Sequence, residues 1–152
     1  MKLQTDDYSC GAVSLMNAYY NKHHCYPKNM TIKRINNICE TTEEYGTYRW
    51  CMRKNPLIKL EKSVYTIKKI LQMKTFILLY SFSLPNGGVS THYVFVEKDN
   101  DYKYTLYNYL YSDEETYVHR TMDKSTFIKK LLKKNSLRGE DDVDYPVAWE
   151  II

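Results

Sequence analysis

The sequence predicts an α+β fold in which N-terminal helices, the first of them carrying Cys10, pack on a C-terminal antiparallel β-sheet. Three observations carry this. Apolar residues recur at helical spacing through the first half of the chain. Runs rich in β-branched and aromatic residues, broken by turn residues, fill the second half. The two patterns are segregated rather than interleaved, which favours α+β over a doubly wound parallel sheet. At 152 residues the chain fits one domain spanning 1–152, with no linker, repeat or low-complexity tract.

The elements follow in order. After Cys10, the apolar positions Val13, Leu15, Met16, Tyr19 and Tyr20 give a wide helical face. "TIKRINNICETTE" has Thr31 as an N-cap and Ile32, Ile35, Ile38 and Cys39 in phase. "TTEEYGTYRWCMRKNPLIKL" is expected to be irregular or short-helical, with Pro56 as an interruption. "SVYTIKKILQMK" predicts a third helix capped by Ser63, with Val64, Ile67, Ile70 and Leu71 on one side. "TFILLYSF" is apolar enough for a central strand, and "LPNGG" is a loop. "THYVFVEK" and "YKYTLYNYL" read as a hairpin turning at "DND", and "TYVHRTM" as a further strand. Asp123 is placed to cap the lysine-rich helix "KSTFIKKLLKK", and "YPVAWEII" closes the sheet.

Composition excludes several classes. Sixteen tyrosines and an ordinary apolar content are not those of a disordered chain. No apolar run reaches the ~20 residues needed to span a bilayer, so no membrane span is expected. No export signal precedes the first helix, which leads to the expectation of a cytoplasmic protein, or one in a host's cytoplasm if the gene is viral. The net charge is +4, much of it on the lysine face of 124–134. Without a zinc-finger, RNP-type or arginine-rich pattern this face is read as solvated, and no nucleic acid is expected as a partner. The four cysteines, 10, 25, 39 and 51, form no Cys-x-x-Cys pair. Neither a metal site nor another cofactor is therefore expected, the thiols should be reduced, and Cys39 reads as a small core residue.

Cys10 stands apart. In "QTDDYSCGAVSL" it begins a helix, where unsatisfied N–H groups and the helix dipole favour a thiolate. Gly11 is expected to leave room for a substrate backbone. Thiol chemistry needs a base, a group orienting that base, and donors to the developing oxyanion. His92, at the head of an apolar strand, is the candidate base. Asn108, on the next strand, is the candidate orienter, with Asp113 a poorer substitute. Gln4 and the Cys10 N–H are the candidate oxyanion donors. His119 is expected to be structural, and His23 and His24 belong to a helix end.

These segments, "QTDDYSCGAVSL", "THYVFV" and "YNY", resemble the papain-like cysteine peptidase superfamily. They are most similar to its compact branch, the double-glycine leader peptidase domains of bacteriocin exporters. The order Gln, Cys-Gly, His, Asp/Asn is the same. The resemblance implies a papain-like fold, Gln4 as oxyanion donor, Cys10 as nucleophile, His92 as general base and acid, and Asn108 as its orienter. It departs from the exporter branch in Asn108-Tyr109, where that branch has an Asp usually followed by Pro. The three residues ahead of Gln4 are expected to leave no room for an inhibitory propeptide. The expected function is a thiol-dependent peptidase cleaving a peptide or isopeptide bond of a peptide or protein substrate. The alternatives are an acyltransferase using the same Cys–His pair, a catalytically silent peptide- or protein-binding domain and, more weakly, a basic nucleic-acid-binding protein.

Overall fold

The computed structural model describes residues 1–84, 87–110, 116–133 and 146–152. Helices α1 (Cys10–His23) and α2 (Ile32–Ile38), a 3₁₀ turn (Arg49–Lys54) and a short α3 (Ile67–Ile70) precede the sheet. Its strands are β1 (Thr75–Ser83), β2 (Val89–Asn100), β3 (Lys103–Leu110), β4 (Tyr117–Asp123) and β5 (Val147–Glu150), with α4 (Lys124–Phe127) after β4. The spatial order is β4-β3-β2-β1-β5, and every pairing is antiparallel. This is the α+β arrangement that the segregated patterns call for.

The sheet has a core on each face. Side-chain alternation sends Ile77, Leu79, Tyr93 and Phe95 to one face, against Ala12, Leu15 and Met16 of α1 and Ile35 of α2. Phe76, Leu78, Tyr80, Val94 and Val96 point to the other face. There they pack with Ile70 of α3 and Phe127, Leu131 and Leu132 of α4 and the π-helical turn that continues it, Ile128–Lys133. Two-sided burial explains why β1 is buried at every position from Phe76 to Phe82 and reads as a near-continuous apolar run with Ser81 as its polar member. Each fully buried leucine or phenylalanine there stabilises the fold by about 1.5–3 kcal/mol.

Caps fix several boundaries. Thr31 accepts from the Arg34 N–H (3.1 Å), and Asp123 accepts from the Thr126 N–H (2.7 Å). Cys39 is fully buried, in phase with Ile35. The lysines of α4 and its continuation are exposed opposite Phe127 and Leu131; Lys134 lies outside the described residues.

The third helix differs from expectation. It starts at Ile67, with Thr66 rather than Ser63 at its N-cap. Val64 instead exchanges both main-chain hydrogen bonds with Ala148, and Leu60 bridges Ile151. β5 is the last strand on that side, and the 60–64 segment satisfies its outer backbone groups. Tertiary pairing thus overrides the helical spacing of Val64. Among the described residues, no helix is long and apolar enough to cross a membrane.

Candidate active site

The β2–β3 ladder runs from the hairpin only as far as Phe95↔Tyr107. Beyond it the strands part, and side chains replace the missing rungs. The parting begins at Asn108, whose φ of 68° lies in the left-handed region, with a register shift against β4 between Leu106 and Tyr109. Asparagine tolerates this conformation better than most residues.

All four hydrogen-bonding groups of Asn108, none of them exposed, are used in the split. Its N–H donates to His119 Nδ1 (3.1 Å). Its carbonyl lies 2.6 Å from His92 Nε2. Its Oδ1 accepts from the Gln4 N–H (2.9 Å), and its Nδ2 donates to Gln4 Oε1 (2.7 Å). The Tyr80 hydroxyl, reaching across from β1, bonds both the N–H and the carbonyl of Leu110. The N-terminal segment is clamped a second time at Lys2, whose N–H and carbonyl bond the Asn17 side chain of α1.

His92 is 2% exposed. The edge of its ring meets Tyr80 at 5.7 Å between centroids, and Tyr117 stacks on its face at 5.6 Å. Because a carbonyl only accepts, the bond to Asn108 puts the ring proton on Nε2 and leaves the lone pair on Nδ1. Nδ1 has no hydrogen-bond partner among the described residues. Burial, only partly offset by the Asn108 carbonyl, lowers the His92 pKa to about 4.

Cys10 enters the split from the α1 side. The turn ahead of it is tied by Asp6, whose carboxylate accepts from the Tyr8 and Ser9 N–H groups and from the Ser9 hydroxyl. The Tyr93 N–H, which belongs to the residue immediately after His92, acts on the sulfur and favours its thiolate. That part of β2 has no β3 rung. The N–H groups of Gly11 and Cys10 act on the sulfur in the same sense, as expected of a helix N-terminus. Burial outweighs all three and pushes the thiol up to about 11. Among the described residues, no hydrogen bond joins the sulfur to the imidazole. At neutral pH Cys10 is therefore a thiol and His92 a neutral imidazole, in place of the thiolate that the helix terminus alone predicts.

The other sequence-predicted residues take these places. Asn108 meets His92 through its main-chain carbonyl, because its side-chain amide is occupied by Gln4. Gln4, itself buried, donates one N–H of its side chain to the Asp6 carbonyl (2.7 Å), which leaves the other without a partner among the described residues. Gly11 faces the chain's own wall rather than open space. A Cβ there would lie 2.8 Å from Thr47 Oγ1 and 3.1 Å from Thr47 Cβ. Thr47 is held in turn by the Tyr93 hydroxyl (2.7 Å) and by Thr41 (2.5 Å). Asp113 lies outside the described residues, as do Pro85 and Asn86 of the expected loop.

Asp6, Tyr80, Asn17 and Tyr117 escaped the sequence reading. Only Asp6 carries a local signal, an aspartate three residues before a serine at a helix start. His119, read as structural, is the acceptor for the kinked Asn108 N–H, and its other nitrogen lies 3.3 Å from the Met1 carbonyl.

A cavity of about 120 Å³ opens at Cys10, between Tyr8, the 43–47 segment and Ser90–Thr91. A larger concavity of about 640 Å³, lined by Tyr102, Asp123 and the lysines of α4 and its continuation, contains neither cysteine nor histidine. Among the described residues, no group of three or more His, Cys, Asp or Glu side chains is arranged to hold a metal ion. No protein-family model matches the chain, and neither does any curated protein.

Proposed function

We propose that the chain is a thiol-dependent hydrolase, most simply a cysteine peptidase of papain-like layout, working through Cys10 and His92. One observation supports this above the others. The N–H of Tyr93, the residue next to His92, favours the thiolate of Cys10, in the same strand split where the His92 ring is held with its Nδ1 lone pair uncommitted. A nucleophile at a helix terminus, a base of fixed tautomer and a cavity at the sulfur are the parts that acyl transfer to a thiol requires.

The step follows from the resting protonation states. The sulfur attacks the substrate carbonyl carbon as the thiol proton passes to His92 Nδ1, and the Asn108 carbonyl stabilises the imidazolium through Nε2–H. The imidazolium returns that proton to the leaving amine as the C–N bond breaks. Water, deprotonated by Nδ1, then attacks the thioester, releasing the acid and restoring the thiol. The Cys10 N–H and the remaining Gln4 N–H are the donors available to the oxyanion. An amine in place of water would give acyl transfer by the same steps.

The test is to incubate the protein with a mixed peptide pool, quench in acid, and weigh both the intact chain and the products. Acylation on Cys10 with turnover is expected. Cys10→Ala should abolish both, and His92→Ala should slow turnover by about 10²–10⁴-fold. Hydrolysis that persists in Cys10→Ala would refute the proposal. The neutral resting pair favours a second reading, a papain-like domain that binds peptide without cutting it. Peptide retention by the wild type with no acyl adduct at any pH would select that reading.

A further inference from the structure

The cavity at Cys10 has a composition that the proposed reaction does not require. Its walls carry the carboxylates of Asp7, Glu43 and Glu44 and the rings of Tyr8 and Tyr45, and no Lys, Arg or His lines it. This is a local reversal of sign on a chain of net charge +4. Among the described residues, none of the three carboxylates has an ion-pair partner. Two of them act on the Tyr8 hydroxyl. Asp6 first, then burial, then Glu43 and Asp7 raise the Tyr8 hydroxyl above its ordinary value.

A second observation points to a ligand. The Cys10 thiol lines this cavity while only 8% exposed, and its S–H has no acceptor among the described residues. The 43–47 wall is also built to stand there. Gly46 takes a φ of 68°, Thr42 and Gly46 bond each other's main chain, and Thr47 is seated against Gly11. At about 120 Å³ the cavity admits one side chain rather than a small-molecule ligand, for which a few hundred Å³ is usual. The aromatic wall continues outward, with Tyr45 over Tyr48 (6.0 Å) and Tyr48 stacked on Trp50 at 4.7 Å and 6°. Arg49, outside the cavity, lies over Trp50. Carboxylates alternating with electron-rich ring faces recognise a cation that also has an apolar stem.

We infer that this cavity is the subsite for a lysine or arginine side chain of the polypeptide substrate, next to the bond that Cys10 attacks. The inference rests on the reading of Cys10 as nucleophile for its catalytic meaning, but not for binding. The carboxylates attract the charged head, Tyr8 and Tyr45 cover the stem, and the substrate carbonyl is delivered to the sulfur on the cavity floor.

The experiment uses short labelled Gly/Ser peptides with a central Lys-Arg, Gln-Gln or Glu-Asp pair. Binding to the Cys10→Ala chain is read by fluorescence anisotropy, and cleavage by the wild type is read by mass spectrometry. The Lys-Arg peptide should bind about tenfold more tightly than the Gln-Gln peptide, with the Glu-Asp peptide weakest. The isosteric double change Glu43→Gln with Glu44→Gln should remove most of that preference, bringing the Lys-Arg and Gln-Gln affinities together. Added salt should shrink the preference in the intact chain. If the order holds but nothing is cleaved, the subsite stands and the peptidase reading falls. If peptides are cleaved or bound without regard to charge, or the acidic peptide is preferred, or none of the three binds, the subsite inference is overturned.

Discussion

Burial of an uncharged His92 should make the protein acid-labile in a defined window. The ordinary imidazole value of 6.5 falls to about 4 in the fold. The unfolded chain therefore takes up a proton at His92 as pH drops below 6.5, while the folded chain does not until about 4. His92 contributes its full share of stability above 6.5 and loses it as pH falls through 4. The interval of 2.5 units corresponds to roughly 3 kcal/mol. That is a large fraction of the 5–15 kcal/mol typical of a domain. The perturbation is His92→Phe, which keeps an aromatic ring against Tyr80 and Tyr117 but does not titrate. The assay is urea unfolding at several pH values between 7 and 4. Phenylalanine also leaves the Asn108 carbonyl without its donor, so the variant starts less stable. The quantity to compare is the slope, not the offset. His119, lowered chiefly by its own burial, titrates in both chains and cancels. Wild type should lose about 3 kcal/mol more than the variant over the window. Equal slopes would show that His92 is charged or solvated in the folded chain, and would remove the neutral-pair argument with it.

Three other outcomes are expected. With Cys10 raised to about 11 and Cys25 exposed, iodoacetamide at neutral pH should modify Cys25 well before Cys10, and Cys10 labelling should accelerate only in alkali. Rapid, selective alkylation of Cys10 below pH 7, read by peptide mapping, would instead reveal an ion pair. Gly11→Ala should destabilise by about 1–3 kcal/mol, because the new methyl meets Thr47 at 2.8 Å; an unchanged denaturation midpoint would mean that the 43–47 wall shifts without cost. Asn108→Gly keeps the left-handed backbone and the carbonyl bond to His92 but loses both bonds to Gln4. It should cost about 2 kcal/mol and leave the acid slope intact, and loss of that slope would put the control of His92 in the side chain.

Periodicity made most of the fold legible. Phe76 to Phe82 form a near-continuous apolar run, broken at Ser81, because both sheet faces are covered, and Cys10 to Tyr20 show the wide stripe of a helix laid across strands. Val64 shows the limit. It lies in helical phase with Ile67 and Ile70, yet the outer backbone groups of β5 needed a partner, a demand that arises only after a distant strand is in place. The site was legible as a set of residue types in order, but not as a set of bonds. Gln4 and Asn108 stand 104 positions apart, and nothing local indicates that their amides bond each other. Gly11 was legible as a demand for space, but the neighbour making that demand, Thr47, comes from the irregular segment that periodicity cannot place.

The resting protonation states and the acidic cavity bear on each other. Near the sulfur, Asp6 adds to burial in opposing the thiolate, and three N–H groups are not enough to reverse them. A bare thiolate would therefore be unfavourable in the unliganded chain, which protects a thiol held in a reducing or oxidising medium from unproductive reaction. A cationic side chain seated against Asp7, Glu43 and Glu44 changes that balance. It offsets the negative field around the sulfur, the more so at low ionic strength. Substrate charge would then serve both for selection and for activation. The consequence is measurable without turnover: arginine amide should speed the alkylation of Cys10 at fixed pH, and glutamine amide should not. Equal rates with the two amides would separate recognition from activation, leaving proton transfer to His92 as the whole source of the nucleophile.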